Sequence, residues 1–194
     1  DRLGIDALDT LYLHGPGQEA MAAALPILAG LKEEGLIRGV GVCSNGPEIA
    51  SAATDPAVDV VMASYTLFRT THASSFSRAR QAGKRVVAIA PLAQGLYRQG
   101  ITRPTSLPDL WYLLRAVVKN RAELRRARAA SWLHDVPGWR PSDLALGFTL
   151  ANPDIDLAIT TTTRPQHLRQ NVAASQRPLP SDLRERLLEL AGKG

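Results

Sequence analysis

Short apolar runs and longer amphipathic segments alternate regularly along the chain. The apolar runs predict strands at residues 8–13, 37–43, 58–62, 85–90 and 155–160. The amphipathic segments predict helices at residues 18–34, 74–82, 110–133 and 142–151, with further helices after Pro47, from Pro165 and from Ser181. The strand segments are continuous runs of Val, Ile and Leu, which is typical of strands buried on both faces. The pattern therefore predicts an α/β fold in which helices cover a parallel sheet.

The order of elements is compatible with two architectures. Five strand–helix units suffice for an open, doubly wound sheet, and they are too few to close an eight-stranded barrel of about 250 residues. No glycine-rich loop follows the first predicted strand, which counts against a Rossmann dinucleotide fold. The order of elements does not by itself choose between an open sheet and a part of a barrel.

Composition narrows the class of protein. The 194 residues are 45% hydrophobic and 21% charged, so we expect one globular domain over residues 1–194. No run approaches the ~18 apolar residues of a membrane helix, and no secretory signal is visible. The single cysteine, Cys43, fits a reducing compartment, so we expect a cytoplasmic location and no membrane partner. The chain starts at Asp1 without an initiator methionine, and we expect a segment of a longer chain or a processed one.

The net charge of +5 raises the alternative of a nucleic-acid partner. The basic residues concentrate in RAVVKNRAELRRARAASW, within an amphipathic helical pattern. Such stripes are usually the solvated faces of long helices. Because the sequence adds no aromatic platform, zinc-ligand spacing or recognition-helix motif, we expect no nucleic-acid partner.

One histidine is notable for its place in the pattern. In LYLHGP, the apolar run Leu11–Leu13 ends at His14, and Gly15-Pro16 stops the strand. A titratable ring at the end of a strand lies at the rim of the sheet, where it either caps the core or takes part in catalysis.

Five segments in register resemble a known family. They are ALDTLYLHGP, AALPILAGLKEEGLIRGVGVCSN, VDVVMASYTLF, GKRVVAIAPLAQGL and ITTTTRPQHLRQN. Together they resemble the aldo-keto reductase family from its fourth barrel strand to the C-terminus. The resemblance implies a partial (β/α)8 TIM barrel, roughly strands 4 to 8 with their helices, as one incomplete domain. It also implies reduction of an aldehyde or ketone to an alcohol, or the reverse, with NADP(H) favoured over NAD(H) and no metal. The implied partners are a small carbonyl or alcohol substrate and the remainder of the barrel.

The family places an Asp, a Tyr, a Lys and a His around the carbonyl that accepts the hydride. The resemblance makes His14 the histidine that orients this carbonyl. The family's Asp, Tyr and Lys lie on strands that precede His14, and the tyrosines here lie outside its acid motif: Tyr12, Tyr65, Tyr97 and Tyr112. We therefore expect the catalytic Asp, Tyr and Lys on a missing N-terminal part, and no turnover by this segment alone.

The resemblance also assigns residues to the nicotinamide end of the cofactor. Ser44 and Asn45 match the pair that binds the carboxamide, while an alignment without gaps puts Cys43 and Ser44 there. Met62 stands where the family has a glutamine, and Ile89 stands where it stacks a tyrosine on the ring. These departures favour an alternative function, a non-catalytic nucleotide-binding or regulatory subunit that kept the cofactor cleft and lost the acid.

Two further segments match the phosphate-binding parts of the family. The loop with Pro91, Leu92 and Gly95 matches one whose backbone N–H groups approach the pyrophosphate. The candidates for the adenosine 2′-phosphate and the adenine follow the last predicted strand: Thr162, Thr163, Arg164, His167 and Asn171. They open a helix, whose N-terminus favours phosphate. Simple N-capping by threonine before Pro165 is the alternative.

Overall fold

The computed structural model describes residues 4–92, 107, 110, 111, 114 and 130–192. The chain divides into two compact units. The first contains residues 4–65, 71–89 and 153–157, and the second contains the described parts of 66–70, 90–152 and 158–192. Within the described residues, no helix combines the length and the hydropathy needed to cross a membrane.

The first unit is built on a parallel sheet whose strands follow each other in sequence order. Its strands are β1 (Leu11–His14), β2 (Val40–Cys43), β3 (Val60–Ser64) and β4 (Arg85–Ile89). A fifth strand, β5 (Leu157–Ile159), begins at the last residue of this unit and completes the order β1-β2-β3-β4-β5. Because the paired strands β1 to β4 are parallel, their carboxyl ends lie along one edge of the sheet. The predicted α/β class with a parallel sheet is confirmed.

Three helices connect the strands of the first unit: α1 (Gln18–Glu33), α2 (Glu48–Ala52) and α3 (Ala73–Gln81). α1 buries an apolar stripe at helical spacing, formed by Met21, Leu25 and Leu28. α1 and α3 are each followed by a glycine with positive φ, Gly35 at 76° and Gly83 at 75°. Glycine takes this conformation without a steric penalty, so each one stops its helix and turns the chain toward the next strand.

The two faces of this sheet have different surroundings. On one face, alternate residues of β2, β3 and β4 are fully buried: Val40, Val42, Val61, Ala63, Val86 and Ala88. The opposite face carries the half-buried Tyr12, Met62 and Ile89 and the exposed His14, together with four buried residues: Cys43, Val60, Ser64 and Val87. Because α1, α2 and α3 pack on these strands, the helices cover the first face. The prediction of strands buried on both faces is therefore confirmed for β2 and for most of β3 and β4, whereas β1 is half-buried and ends in the exposed His14.

Two aspartates fix the amino-terminal edge of the sheet. Asp59, just before β3, donates its N–H to the Val40 oxygen over 2.8 Å, and its carboxylate accepts the Val40 N–H over 2.8 Å. Asp156, just before β5, makes the same two bonds with Val86, at 2.9 and 2.8 Å. Each of these aspartate anchors gives an N–H at the start of the neighbouring strand a charged acceptor.

Basic side chains complete this edge. Lys32 Nζ lies 2.7 Å from the Asp59 carboxylate, and the Arg80 guanidinium lies 2.8 Å from that of Asp156. Burial raises the pKa of Asp59, but the hydrogen bonds from Lys32 and the Val40 N–H outweigh it, so this pKa falls below its ordinary value.

A buried lysine joins the start of β4 to the chain before β3. The Lys84 ammonium donates to the Asp55 and Val58 oxygens, both over 2.5 Å. Burial lowers the pKa of Lys84 below its ordinary value, although the charges of Asp55 and Asp59 oppose the change.

The second unit is helical over much of its described part. It contains a 3₁₀ helix (Ser131–Asp135) and the helices α4 (Pro141–Leu150), α5 (Pro165–Ser175) and α6 (Ser181–Gly192). Residues 144–149 of α4 are all buried, and α5 and α6 pack against α4. The Arg177 guanidinium lies 3.5 Å from the centre of the Trp139 ring, a cation–π contact.

Several predicted boundaries shift. β1 begins at Leu11 and not at Leu8, and β2 begins at Val40 and not at Ile37, because Leu8 and Ile37 form only an isolated bridge. β5 begins at Leu157, since the preceding Asp156 uses its side chain as an anchor. The helix predicted over 110–133 lies largely outside the described residues, and its last residues belong to the 3₁₀ helix.

Candidate functional site

His14 is the last residue of β1 and lies at the carboxyl edge of the sheet. Its side chain is exposed, and its neighbour in the register is Cys43. Gly15 turns the chain with a φ of 61° and donates its N–H to the Cys43 oxygen over 2.8 Å. An exposed ring does not cap a core, which favours the catalytic interpretation of His14.

A network of polar groups holds the loop after β2. Ser44 is buried, and its hydroxyl donates to the carboxylate of Glu48, which is only 5% exposed. The Ser44 oxygen also accepts the Gly46 N–H over 3.1 Å. The amide oxygen of Asn45, an exposed residue, accepts the Ser64 N–H over 2.8 Å. The loop is thereby tied both to the first residue of α2 and to the last residue of β3.

Two titratable groups beside His14 stay protonated at neutral pH. Burial raises the pKa of the Cys43 thiol. Burial, together with the charge of Cys43, also raises the pKa of Tyr12. The Tyr12 ring lies so close to Gly41 that a Cβ at that position would overlap the ring. Cys43 is therefore a packed thiol and not an activated nucleophile.

The backbone takes an unusual conformation directly after β4. Ala90 has a φ of 55°, in the left-handed region that disfavours residues with a Cβ. It also precedes Pro91, and residues before proline are normally extended. Pro91 is buried and Leu92 is half-buried, while Gly95 lies outside the described residues. Backbone strain of this kind clusters at ligand-binding sites, so the position fits the predicted loop.

In the second unit, the residues predicted to bind the 2′-phosphate surround the start of α5. Arg164 is the N-cap residue in an extended conformation, and Pro165 occupies the first turn. Thr162 Oγ1 accepts the Arg164 N–H over 3.1 Å. Among the residues predicted to bind the 2′-phosphate, Thr163, Arg164 and His167 are exposed. The alternative of N-capping by threonine is wrong, because Arg164 is the N-cap residue and no side chain caps α5.

Taken separately, groups of each unit have hydrogen-bonding and charge properties that suit one part of a nicotinamide dinucleotide. The Asn45 side-chain oxygen accepts the Ser64 N–H, so the side-chain nitrogen of Asn45 is left to donate to a carbonyl oxygen. The start of α5 and the exposed Arg164 guanidinium suit a phosphate. Asn171 donates to Thr160 Oγ1 over 3.3 Å and keeps its own oxygen for a base amino group. Across the described residues, no group of three or more His, Cys, Asp or Glu side chains is arranged to hold a metal.

The sequence analysis did not predict two residues of the network after β2, Glu48 and Ser64. Glu48 follows Pro47 at a helix start, where an acidic residue is common for its favourable interaction with the helix dipole. Its burial becomes visible only in the structure. The four-residue spacing from Ser44 to Glu48 across a Gly-Pro turn is the one feature that could have indicated their bond.

Comparison with known proteins identifies related chains. A family model described as the Aldo/keto reductase family matches residues 1–191. D-threo-aldose 1-dehydrogenase of a Pseudomonas species is 29% identical over 204 residues, which cover 97% of this chain and 58% of that protein. NADH-specific methylglyoxal reductase of Escherichia coli K12 is 27% identical over 188 residues, which cover 89% of this chain and 56% of that protein. An aldo-keto reductase from Bacillus halodurans, in its holo form, matches with a TM-score of 0.72 at 22% identity, over 97% of this chain and 60% of that one. The chain thus spans little more than half the length of these curated relatives.

Proposed function

We propose, since this chain belongs to the aldo/keto reductase family, that it is the cofactor-holding part of an NAD(P)H-dependent oxidoreductase. The reaction is the reduction of an aldehyde or ketone to an alcohol, or its reverse. On this proposal the five parallel strands are strands 4 to 8 of a (β/α)8 barrel. The end strands support it, because β1 is half-buried over Leu11–Leu13 and β5 exposes Leu157 and Ile159. These are the surfaces that further strands would cover.

The observation that carries the proposal is the position of His14. Its exposed ring lies at the carboxyl edge of the sheet, on the face opposite the helices and beside Cys43 in the register. Barrel enzymes keep their chemistry at this edge. When bound, the reduced nicotinamide supplies a hydride. His14 donates a hydrogen bond to the substrate oxygen and so stabilises the negative charge that develops there.

The proton donor belongs to another part of the protein on this proposal. By the family resemblance, the Asp, Tyr and Lys precede the strand that ends in His14, and this chain spans only 58% and 56% of two curated relatives. We therefore assign cofactor binding and carbonyl orientation to the chain, and we expect no turnover by the chain alone. A cytoplasmic location belongs to the same proposal, supported by the unpaired thiol of Cys43.

The cofactor residues follow from the same assignment. Ser44 and Asn45 serve the nicotinamide carboxamide. The pyrophosphate loop contains Pro91, Leu92 and Gly95. The 2′-phosphate and adenine are assigned to Thr162, Thr163, Arg164, His167 and Asn171. The exposed guanidinium of Arg164 at a helix start favours the extra phosphate of NADP(H), whereas the Escherichia coli relative is named as NADH-specific.

A second function is favoured by the apolar residues beside the rim. Met62 and Ile89 are half-buried on the face that carries His14, where polar or aromatic contacts would hold a nicotinamide ring more specifically. Such a surface suits a nucleotide-binding regulatory subunit that performs no chemistry. Both functions require cofactor binding, and only the reductase requires turnover.

Cofactor titration tests the shared part of the proposal. Fluorescence titration of the chain with NADPH and NADH should give saturable binding, tighter for NADPH. Arg164→Ala should raise the dissociation constant for NADPH about tenfold and that for NADH less than about twofold. Arg169→Ala is the matched control, because Arg169 is an exposed arginine further along the same helix. Equal effects of Arg164→Ala on both cofactors would remove the assignment to the 2′-phosphate.

Turnover separates the two functions. When the chain is joined to the segment that carries the family's Asp, Tyr and Lys, it should oxidise NADPH in the presence of a simple aldehyde. His14→Ala should then lower kcat about a hundredfold or more while the affinity for NADPH stays unchanged. Unchanged turnover would exclude His14 from the mechanism, and cofactor binding without turnover in the joined protein would favour the regulatory subunit.

A further inference from the structure

We infer that Glu48 is a positioning residue for the nicotinamide carboxamide, and that it acts through Ser44 on the orientation of Asn45. The inference rests on the proposed function, because it concerns how the same site holds the cofactor. Glu48 is the first residue of α2 and is 5% exposed. A carboxyl group is costly to bury unless other groups bond it, so its contacts indicate what it does there.

The contacts of Glu48 are concentrated on the loop that precedes it. The Ser44 hydroxyl donates to Glu48 Oε1. Both carboxylate oxygens lie against Gly46, where a Cβ would overlap them. The Gly46 N–H in turn donates to Ser44 Oγ over 3.1 Å. Ser44, Gly46 and Glu48 thus form a closed set of contacts, and a side chain at position 46 would displace the Glu48 carboxylate.

These bonds leave Ser44 and Asn45 with different hydrogen-bonding groups available to a ligand. A serine hydroxyl has one proton, and that of Ser44 is used by Glu48, so Ser44 offers no donor to a ligand. The Ser64 N–H can only donate, so the Asn45 atom that faces it at 2.8 Å is the amide oxygen. The Asn45 nitrogen keeps two donors, and no hydrogen bond among the described residues engages them. Asn45 therefore presents donors alone, which match the carbonyl oxygen of a carboxamide.

The orientation of Asn45 depends on restraints at both of its ends. Its side chain is held by the Ser64 N–H, and its backbone lies between Ser44 and Gly46, the two residues that contact Glu48. Removal of the carboxylate would release both neighbours and let Asn45 exchange its bond to Ser64 for water. The nicotinamide end of the cofactor would lose an oriented donor, and the adenosine end would lose nothing.

The test compares two ligands that differ only at the nicotinamide. NADPH and 2′-phospho-ADP-ribose, which lacks the nicotinamide ring, are titrated into wild type, Glu48→Ala, Glu48→Gln and Glu33→Ala. Glu48→Ala should raise the dissociation constant for NADPH about five- to tenfold and change that for 2′-phospho-ADP-ribose less than about twofold. Glu48→Gln should restore the wild-type values, because a glutamine oxygen still accepts the Ser44 hydroxyl. Glu33→Ala removes an exposed carboxylate of α1 and should change neither constant.

A second readout follows the restraint itself. Amide hydrogen exchange at Ser64, measured without ligand, should be faster in Glu48→Ala than in Glu48→Gln, because Asn45 no longer holds the N–H. If Glu48→Ala does not fold, Ser44→Ala breaks the same bond, and it should also speed exchange at Ser64 in the absence of ligand, which no direct contact between Ser44 and the cofactor can explain. Three results for Glu48→Ala would overturn the inference and leave the proposed function standing: equally weaker binding of both ligands, an unchanged affinity for NADPH, or an unchanged exchange rate at Ser64. A wild-type chain that binds neither ligand would overturn the proposed function together with the inference.

Discussion

We expect Asp156→Ala to lower the free energy of unfolding by about 2–4 kcal/mol. The Asp156 side chain is 18% exposed, and its carboxylate accepts the Val86 N–H over 2.8 Å. Arg80 adds bonds of 2.8 and 3.0 Å to the same carboxylate. Val86 is fully buried, so the substitution deprives a buried N–H of a charged acceptor.

The backbone bond supplies most of this magnitude. A hydrogen bond to a charged group contributes about 1.5–3 kcal/mol, and a buried donor without its partner loses this in full. The ion pair adds less, because the Arg80 side chain is 39% exposed and solvent screens the attraction to roughly 0.2–1 kcal/mol. The two contributions together give the expected loss.

Urea unfolding followed by circular dichroism measures the effect, with linear extrapolation to water. Asp9→Ala is the matched control, because Asp9 and its partner Arg38 are 85% and 73% exposed. We expect this control to change stability by less than about 0.5 kcal/mol. Asp156→Asn should lose less than Asp156→Ala, because the amide oxygen can still accept the Val86 N–H. Equal losses in Asp156→Ala and Asp9→Ala would refute the reasoning that the backbone bond dominates.

Three further predictions concern the first unit. Gly41→Ala should lower the free energy of unfolding by about 1–3 kcal/mol, because the new Cβ would overlap the Tyr12 ring. Gly30→Ala is the control: its Cβ would enter open space on α1, so this variant should raise the free energy of unfolding by up to ~1 kcal/mol. Equal urea midpoints for these two variants would contradict the packing argument. The Cys43 thiol is buried and its pKa is raised, so iodoacetamide should modify it about a hundredfold faster in urea than in the folded chain. Mass spectrometry measures both rates, and equal rates would mean that the thiol is accessible in the folded chain. Burial lowers the pKa of Lys84 in the folded chain. At pH values between this lowered pKa and the ordinary pKa of lysine, ~10.4, the unfolded state binds more protons, so the free energy of unfolding should rise with pH. Lys84→Met should abolish this rise in urea titrations across that range, and parallel curves for wild type and variant would contradict the shift.

The parallel sheet was predictable because its burial requires continuous apolar runs. β2 and β4 fall within predicted segments for this reason, and β3 overlaps its predicted segment and continues two residues beyond it, to Ser64. The starts of the strands were less predictable, because an apolar residue such as Leu8 or Ile37 can be covered without joining a ladder. The roles of Asp59 and Asp156 could not be predicted from the local sequence either, because their side chains bond backbone N–H groups of strands that are distant in sequence.

The candidate site was predictable only where a residue type and its place at a strand end coincide. His14 follows from LYLHGP, because a strand end places its side chain at the rim. The bond between Asn45 and Ser64 joins residues 19 positions apart and depends on the pairing of β2 with β3. Glu48 had the sequence context of a solvated helix start, but it is buried and its carboxylate lies against Ser44 and Gly46. Such contacts are set by tertiary packing, which a local pattern does not encode.

The different coverage of the two sheet faces has a consequence for how this sequence can change. Along β3, Val61 and Ala63 are locked into close packing, whereas Met62 between them is half-buried on the other side. Because Val60 and Ser64 are buried as well, tolerance to substitution along this strand should be highest at Met62 in a deep mutational scan. If the proposed function holds, a directed-evolution library confined to Met62 and Ile89 should vary ligand preference while the scaffold stays folded. New selectivity can in this way arise without first adding stability elsewhere.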